Sequence, residues 1–387
     1  MKYLSLFSLF LSINIATFSQ DLSGLKFGTE STFEVASWNI EHFPKNGQTT
    51  IDLVKNLIEA MEIDLFAIQE VKDTVAFHRM VDSLSSYNGY LTSSWFAGLA
   101  YIYNPSVIKV DSIYEIYTTS PYWSAFPRSP MVMDLKFMNE RILVINNHFK
   151  CCGDGIFDRN DESDEETRRY NAAMLLKEYI DTYFPNQNVI VIGDLNDILT
   201  DHSSNNVFQE IIDDNSNYAF ADMDIANGTN TEWSYPNWPS HIDHILITNE
   251  LFDDLSNPNS EVQTIKIDEH IGGWSEYDSK VSDHRPVALK LQLNLITAIE
   301  DLDTSEKLFS NHPNPFSTET TFSIRTPQKD AKIEVFNSNA QKVYTKNLDA
   351  QQTSLRWNPG SMPNGIYYAR LLVMNKVKAT IKLILQR

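Results

Sequence analysis

Six short apolar segments of this chain begin or end in acidic, amide or imidazole side chains, and this pattern restricts the fold more than any other feature. Four segments carry these side chains at the C-terminal end, in the stretches SWNIEH, AIQEV, NNHFK and VIGDLND. Two carry them at the N-terminal end, in HIDHILIT and SDHRPVALKL. Because a carboxylate at the edge of a buried strand is costly unless it is paired or bound to a cation, we expect the six ends to meet at one site. The polar residues at these ends are Asn39, Glu41, Glu70, Asn147, His148, Asp194, Asn196, Asp197, Asp243, Asp283 and His284.

A meeting of the six ends has a topological consequence. The two strands that carry polar residues at their N-terminal ends must run antiparallel to the other four. The prediction is therefore an arrangement of mixed sheets and not the purely parallel sheet of a dinucleotide-binding fold. The absence of the motifs G-x-G-x-x-G and G-x-x-x-x-G-K-[ST] agrees with that exclusion.

The spacing of apolar residues predicts an alternation of strands and helices. Residues 49–61 have apolar side chains at the spacing of one helical face, with Thr49 or Thr50 as the N-cap, and a second helix is predicted from about residue 167 to residue 183. Each helix lies between two apolar strands, which is an α/β pattern. The predicted strands are 33–39, 64–69, 99–103, 131–137, 141–147, 188–192, 244–248 and 286–293.

The two ends of the chain differ in composition from its main part. Residues 1–19 contain one lysine, a short apolar run and small residues before Gln20, which predicts a secretory signal peptide. A main domain at 20–296 and a polar, acidic linker at 297–307 are expected to follow. In 308–387 short strand-like segments alternate with turn signals, which predicts a small all-β sandwich. No later segment is long and apolar enough for a bilayer, so we expect a soluble, exported protein.

Charge and cysteine content exclude two classes of protein. The formal net charge is -20; residues 301–387 carry 12 basic and 7 acidic side chains, a net +5, so the first 300 residues carry -25. Such an acidic body cannot bind polyanions through a broad basic surface, and work on phosphates would need a metal ion or a few local cations. The two adjacent cysteines, Cys151 and Cys152, exclude a disulfide framework and leave either a ring between neighbours or two free thiols. The acidic loop after them either leads, solvated, into the second helix or binds Ca²⁺.

The residue types at the expected site indicate its chemistry. Carboxylate and amide oxygens without clustered thiols favour Mg²⁺, Mn²⁺ or Ca²⁺ over zinc, and leave the histidines for proton transfer or phosphate contacts. A hard cation with acids and a histidine suits phosphodiester hydrolysis. Because neighbours in an extended strand point to opposite sides, we expect Asp243 to orient His284 while Asp283 faces the metal. Arg285 is expected to fix the start of the strand, with a phosphate contact as the alternative.

The ordered motifs resemble the endonuclease/exonuclease/phosphatase superfamily, which includes deoxyribonuclease I, abasic-site endonucleases, neutral sphingomyelinases and inositol polyphosphate 5-phosphatases. The matching stretches are WNIEHF, IQEV, NNHF, GDLND, HIDHIL and SDHRPV, spanning residues 38–287. The resemblance implies a four-layer α/β sandwich, in which two mixed β-sheets pack face to face with helices outside. One departure is His241, at a position that is often arginine in the superfamily, and no tyrosine could be assigned to a catalytic role.

The resemblance also implies roles for individual residues. Asn39, Glu70 and Asp283 are expected to bind the metal ion. Asp194 and Asn196 are expected to position the nucleophile and a phosphate oxygen. His284, supported by Asp243, would be the general base or a phosphate contact, and His148 the second histidine. Arg128, in the stretch FPRSP, either faces the substrate phosphate or forms a structural ion pair.

The C-terminal region resembles the type A sorting domain of the type IX secretion system of Bacteroidetes. The resemblance rests on HPNPF, IEVFNSNAQKVY, NGIYYARL and the basic end KATIKLILQR. It implies export by the type IX machinery, followed by removal of the tail or attachment to the cell surface. The alternative is an ordinary binding module.

Three functional hypotheses follow, of which the first is preferred. It is a secreted, monomeric, divalent-metal-dependent nuclease that cleaves DNA, with RNA left open as a second substrate. The second is a secreted phosphodiesterase or phosphatase acting on lipid head groups or small phosphates, for which the aromatic stretch TEWSYPNWPSH would supply an interfacial loop. The third, an inactive binding module, is disfavoured because no expected acid or histidine is missing.

Overall fold

The structure, a computed structural model, describes residues 21–92, 98–294, 308–337, 341–374 and 376–387. The chain divides into two compact units, Met1–Leu295 and Ile296–Arg387. The predicted signal peptide and linker lie outside the described residues. In the described part of the chain, no helix has both the length and the apolar composition that crossing a membrane requires.

Helices and strands alternate in the first unit, as the apolar spacing predicts, except in its middle, where five strands follow one another. Its strands within the described residues are β1 (Phe33–Phe43), β2 (Leu65–Val71), β3 (Asn88–Leu91), β4 (Gly98–Tyr103), β5 (Ile108–Glu115), β6 (Met131–Phe137), β7 (Glu140–His148), β8 (Asn188–Asp194), β9 (Tyr218–Phe220), β10 (Asp243–Thr248), β11 (Glu261–Thr264) and β12 (Val287–Leu291). Its helices there are α1 (Gln48–Met61), α2 (Thr74–Asp82), α3 (Glu165–Tyr183), α4 (Gln209–Asp213), α5 (Met223–Ala226), α6 (Phe252–Leu255) and α7 (Trp274–Lys280).

The strands form two mixed sheets. One has the spatial order β11-β12-β1-β2-β4-β3, and the other has the order β5-β6-β7-β8-β10-β9. In the first sheet β1 runs parallel to β2 and antiparallel to β12. In the second sheet β8 runs parallel to β7 and antiparallel to β10. The prediction that the last two polar-ended strands run against the other four is thereby confirmed.

Three apolar layers hold the first unit together, which gives the four-layer sandwich implied by the superfamily resemblance. The layer between the sheets contains side chains of both, such as Val35 and Val144. A second layer packs α1 and α2 on the outer face of the first sheet. The third packs α3 on the outer face of the second sheet through residues such as Leu176 and Ile180. The helices therefore lie outside and the strand ends stay open at the edge of the sandwich.

The starts of two helices differ from the sequence-based predictions. Helix α1 begins at Gln48 after Gly47, and neither Thr49 nor Thr50 caps it. Thr50 lies inside the first turn, where its hydroxyl donates to the carbonyl of Lys280 at 2.7 Å and accepts from the N–H of Asn46. Helix α3 begins earlier than predicted because Asp164 caps it by accepting from the N–H of Thr167. Side-chain capping of this kind satisfies a backbone donor that the helix leaves open.

Polar groups cross the layer between the sheets directly below the expected site. Asn146 on β7 donates to the carbonyls of Ile68 and Ala100, both at 3.0 Å, in the opposite sheet. The hydroxyl of Tyr101 lies 2.7 Å from the carbonyl of Met131 and accepts from the N–H of Asn146. Tyr101 is completely buried, so it serves the packing of the sheets and is not the missing catalytic tyrosine.

The second unit is built of antiparallel sheets around an aromatic core, as predicted for a small all-β sandwich. One sheet has the order β13-β14-β17 and the other β16-β15-β18-β19. Phe322 and Trp357 stack in the core beside Ile333 and Leu371. The strands are β13 (Phe309–His312), β14 (Thr320–Ile324), β15 (Ala331–Asn337), β16 (Lys342–Asn347), β17 (Ser354–Trp357), β18 (Gly365–Val373) and β19 (Lys376–Leu385).

Candidate active site

Strand register brings the polar ends of the second sheet side by side. On three adjacent strands, His148, Asp194 and Asp243 are direct cross-strand partners, with Asp194 in the middle. All three are buried. Gly193 permits this close approach, because a Cβ atom there would lie 2.0 Å from the carbonyl oxygen of Asn147. The glycine of the GDLND stretch is therefore needed to place Asp194.

The first sheet contributes Asn39 from β1 and Glu70 from β2. The side-chain nitrogen of Asn39 lies 3.0 Å from Asp194 Oδ2 and 3.3 Å from Glu70 Oε1, so it links the two sheets. Glu70 also accepts from the backbone N–H of His42 at 2.9 Å. These contacts join the ends of β1, β2 and β8 in one polar network.

His284 forms the predicted pair with Asp243, although the reasoning behind that prediction was wrong. Nδ1 of His284 lies 2.8 Å from Asp243 Oδ2, which fixes the imidazole orientation. Residues Ser282, Asp283 and His284 lie in a turn before β12, and not in an extended strand. Asp283 and His284 therefore both line the same cavity, with Asp283 Oδ1 at 3.9 Å from His284 Nε2.

The remaining predicted residues surround Asp194. His148 Nε2 lies 3.4 Å from Asp194 Oδ2 and 4.0 Å from Glu70 Oε1. The backbone N–H of Asn196 donates to Asp194 Oδ1 at 3.1 Å, and the Asn196 side chain donates to the carbonyl of Phe149. The structure thus brings together eight predicted residues: Asn39, Glu70, His148, Asp194, Asn196, Asp243, Asp283 and His284.

Several residues of the site have a positive φ angle, which residues other than glycine rarely adopt. The φ angles of Glu70 and Asn196 are 66° and 55°, and those of Glu41 and His42 are 29° and 50°. Such left-handed conformations cost about 1–3 kcal/mol each and cluster at functional sites. At these positions the backbone leaves the direction of the strand, and the side chains point into one shared space.

That space is a cavity of about 370 Å³. Sequence reasoning gave no role to several residues that line it, above all Glu41, His42 and Tyr235. His42 Nδ1 lies 3.0 Å from Glu70 Oε2, and the ring of Tyr235 lies 4.8 Å from that of His284. Glu41 and His42 belong to the quoted stretch WNIEHF, but their inward direction depends on the positive φ angles. The lining residues are Glu41, His42, Glu70, His148, Cys151, Cys152, Asp194, Asn196, Tyr235, Ile242, Asp283 and His284.

Two of the histidines that line the cavity, His284 and His148, are driven to opposite protonation states. Burial alone would lower the pKa of His284, but the carboxylates of Asp243 and Asp194 outweigh it and raise the pKa to about 10. Burial, followed by the charge of Arg128, lowers the pKa of His148 well below its usual value. Burial raises the pKa of Asp194 to about 7, with His284 acting in the other direction. At neutral pH the site thus contains an imidazolium, a neutral imidazole and a carboxyl group near its titration point.

The donor set fits a hard divalent cation. Within the described residues, Asp283 Oδ1 is buried without a hydrogen-bond partner, and burial raises the pKa of Asp283 to about 6. Glu70 directs both of its oxygens into the polar network. Asn39 fits less directly, because its Oδ1 accepts from the N–H of Glu41 and its nitrogen faces the carboxylates. Carboxylate oxygens around one cavity, one of them without a hydrogen-bond partner, are an arrangement that Mg²⁺ or Mn²⁺ stabilises.

A second acid–histidine cluster lies beside the first but is closed. Asp222 Oδ2 lies 2.6 Å from His244 Nδ1 and 3.1 Å from His241 Nε2, and Asp222 Oδ1 accepts from the N–H of Ile245. His244 Nε2 donates to the carbonyl of Asp197 at 2.8 Å. All three ionisable side chains are buried, and they are hydrogen-bonded to one another and to the backbone. His241 supplies the partner of Asp222 at the position where the superfamily often has arginine.

The sequence left two interpretations open for each of two arginines, Arg285 and Arg128, and the structure gives these residues different surroundings. Arg285 forms a bidentate pair with Asp268, both distances being 2.8 Å, so it fixes the approach to β12. Arg128 lies within electrostatic reach of Glu70 and Asp194. It also lines a second cavity, of about 500 Å³, together with Trp123 and Arg168. Of the two, Arg128 is the one that lies near the candidate site.

Comparisons with known proteins agree with this architecture. The profile of the Endonuclease/Exonuclease/phosphatase family matches residues 36–284, and that of the Secretion system C-terminal sorting domain matches residues 310–386. No curated protein matches the sequence.

Solved structures with a similar fold come from several organisms. The D. rerio TDP2 structure with a single-strand DNA product has 14% identity and a TM-score of 0.50, covering 68% of this chain and all of that chain. The Bacteroides vulgatus endonuclease/exonuclease/phosphatase has 17% identity and a TM-score of 0.48, with the same coverage. The human Nocturnin catalytic domain, with bound sulfate, has 16% identity and a TM-score of 0.48, covering 68% and 96%. At such identities, a structural likeness concerns the fold and not the reaction.

Proposed function

Because this chain belongs to the endonuclease/exonuclease/phosphatase family and carries a type IX secretion sorting domain, we propose that it is a secreted phosphodiesterase that cleaves nucleic acid, with DNA as the preferred substrate. One observation supports the proposal above all others. Acids and histidines of five distant segments line one open cavity, and Asp243 of a sixth segment holds His284 there.

The charge states of the site suggest a role for each side chain. Asp194, with a pKa of about 7, takes the proton of the attacking water, since a base works best near the operating pH. Asn196 uses its side-chain nitrogen on Phe149, which leaves its side-chain oxygen to orient that water. His284 remains an imidazolium and donates its Nε2–H to a phosphate oxygen, where negative charge grows. His148 is neutral and contacts the phosphate from the other side of Asp194.

Glu70 and Asp283 would hold the divalent cation, with Asn39 as a third ligand. Bound there, Mg²⁺ or Mn²⁺ would polarise the phosphate and offset the charge of the surrounding acids. Its presence matters more here than in a basic nuclease, because the first 300 residues carry a formal charge of -25.

The preference for a polymer comes from the surroundings of the site. The neighbouring cavity of about 500 Å³ contains two arginines, Arg128 and Arg168, and the exposed Trp123. Cations with an aromatic face suit a phosphate chain and its bases. The lipid alternative has its own support in Trp238, whose side chain is 78% exposed in the loop that also supplies Tyr235.

The two alternatives can be separated in one set of assays. The full chain is incubated with plasmid DNA, RNA, sphingomyelin vesicles and bis-p-nitrophenyl phosphate, with Mg²⁺ and with EDTA. We expect nicked plasmid and a reaction that stops after chelation. Turnover of sphingomyelin with uncut plasmid would replace nuclease by lipid phosphodiesterase, and hydrolysis that persists in EDTA would remove the metal from the proposal. His284→Ala serves as the control for contaminating nuclease.

A further inference from the structure

The only two cysteines of the chain, Cys151 and Cys152, lie at the catalytic cavity but have no part in the chemistry above. Both side chains are exposed, and their sulfur atoms are 2.9 Å apart. They line the 370 Å³ cavity together with His148 and Asp194. Thiols in this place are open to reagents from solvent and close to the reacting groups.

The backbone conformation at Cys152 and Gly153 holds the two thiols close together. Cys152 has a φ of 73°, in the left-handed region, and Gly153 follows with a φ of 109°. Arg169, a buried residue of α3, stabilises the turn: its Nη1 donates to the carbonyl of Lys150 at 3.0 Å and to that of Cys152 at 2.7 Å. The closeness of the sulfur atoms is therefore a property of the anchored turn.

The surroundings give the two thiols different reactivity. The ammonium group of Lys150 lies 3.9 Å from the Cys151 sulfur, and the guanidinium of Arg128 is near enough to interact with it. The hydrogen bond to Cys151, and then burial, raise the pKa of Cys152. Cys151 is thus suited to attack first and Cys152 to react second.

We propose that Cys151 and Cys152 form a reversible disulfide between neighbours, by exchange with a low-molecular-weight disulfide. The Cys151 thiolate attacks one sulfur of that disulfide, forms a mixed disulfide and releases one thiolate. Cys152 then loses its proton to solvent, attacks the Cys151 sulfur and releases the second thiolate. The two electrons given up by the cysteines reduce the small disulfide to two thiols.

Such a bond is easily reversed. Adjacent Cα atoms lie about 3.8 Å apart, less than the roughly 4.4–6.8 Å of ordinary disulfides, so the ring is strained. Strained, exposed disulfides have high reduction potentials and are labile. The bond is therefore a modification that responds to the thiol content of the medium, and not a structural crosslink.

Formation of the disulfide should also affect the loop that carries Asp194 and Asn196. The guanidinium of Arg169 that binds the cysteine turn donates through Nε to Asp197 Oδ2 at 2.8 Å. Asp197 belongs to the loop that carries Asp194 and Asn196. We expect the oxidised enzyme to lose about tenfold in kcat, because small displacements of positioned groups cost this much. This consequence rests on the proposed function, whereas the disulfide itself does not.

The test follows the bond and the activity separately. Full-length protein is reduced, freed of reductant and treated with glutathione disulfide, then examined by intact mass and by counting thiols with maleimide. The expected product has lost two hydrogens and both reactive thiols, without added glutathione, and regains them with a phosphine reductant. Cys152→Ser should stop at the mixed disulfide, and the double Cys151→Ser/Cys152→Ser variant should not change.

Hydrolysis of bis-p-nitrophenyl phosphate is measured on the same samples with Mg²⁺. The expected fall on oxidation should reverse on reduction and be missing in the double variant. A wild-type product that keeps glutathione, or keeps both thiols, overturns the proposed bond. An oxidised ring with unchanged kcat overturns the link to catalysis. If neither form hydrolyses any ester, the proposed function fails while the mass still decides the disulfide.

Discussion

Two acid–histidine clusters meet on strand β10, and they differ in what surrounds them. Asp243 turns to one side of the strand and holds His284 at an open cavity, while His244 turns to the other side and binds Asp222 in the interior. In the closed cluster both nitrogens of His244 are hydrogen-bonded, to Asp222 and to the carbonyl of Asp197. In the open one Nε2 of His284 faces the cavity, with carboxylate oxygens of Asp194 and Asp283 3.8 Å and 3.9 Å away.

The difference shows that residue type does not identify a catalytic pair. Both clusters contain buried aspartate, and in both the histidine pKa is raised by its acid partner against the effect of burial. What separates them is whether a nitrogen remains for a substrate. In the closed cluster the hydrogen bonds stabilise the fold. The carbonyl group that His244 binds is that of Asp197, in the loop that carries Asp194. Its role is to support the site from behind.

The largest effect is expected from His284→Ala. Loss of the imidazolium should lower kcat for bis-p-nitrophenyl phosphate by about 10³-fold, because its Nε2–H stabilises the negative charge that grows on the phosphate oxygen. The melting temperature should fall less than in a protein that loses a closed pair: the carboxylate of Asp243 loses its partner, but the space left by the imidazole opens it to water in the cavity. Steady-state kinetics and thermal melts check this. Retention of a tenth of the activity would break the assignment.

His244→Ala should show the opposite pattern. It leaves Asp222 with only His241 as an ionisable partner in the interior, and breaking one side of a buried pair costs about 3–5 kcal/mol. Urea unfolding should therefore show a large loss of stability, while kcat per folded molecule falls far less than in His284→Ala. If activity vanishes in a fully folded His244→Ala protein, the two clusters are not distinct in function.

Asp243→Asn tests the orienting acid alone. The imidazole keeps a hydrogen-bond partner but loses the neighbouring charge, so kcat should fall by about 100-fold, less than on removal of His284. The pKa of His284, followed by NMR of its ring protons, should move down from about 10, because Asp243 is the main cause of the rise. An unchanged His284 pKa would contradict the role given to Asp243.

The pH profile of kcat/KM should have two limbs set by the open cluster. Asp194 acts as a base when ionised, so the rate should rise with pH up to about 7. His284 acts when protonated, so the rate should fall above about 10. Asp243→Asn should move both limbs to lower pH, because Asp243 raises the pKa of Asp194 as well as that of His284. A rate that keeps rising beyond pH 11 would show that His284 works as a neutral base.

The smallest effect concerns a buried acid pair without histidine, at the other end of β1. Burial, mainly, raises the pKa of Glu34 to about 8 and that of Asp64 to about 6. The folded state then binds protons that the unfolded state has released, so the contribution of this pair to stability is greatest below about pH 4 and is lost as the pH rises through about 6 to 8. Glu34→Gln should flatten this slope and raise stability at pH 8 by about 1–3 kcal/mol. Thermal melts at pH 5 and pH 8 measure it; equal slopes in both proteins would contradict the shift.

Much of the architecture could be predicted from local patterns. The apolar runs of β6 and β8 and the amphipathic spacing of α1 depend on neighbouring residues only, and the polar ends imposed opposite strand directions. Strands β3, β5, β9 and β11 were missed. Three of them have four residues or fewer, which carry too little periodicity, and in β5 a register shift between Val110 and Ser112 breaks the alternation of apolar side chains. The positive φ angles of Glu70 and Asn196 could not be predicted either, because the same residue types also occur at positions with an ordinary backbone conformation.

By itself the sequence determined which residue types stand at the strand ends and that Asp243 and His244, as neighbours in a strand, face opposite sides. Only the tertiary structure decided what each of them meets. Asp222 joins His244 across 22 positions, and a turn, not a strand, carries Asp283 and His284 into one cavity. The reason is physical: alternation along a strand is local, whereas burial and partners depend on which distant segments pack there.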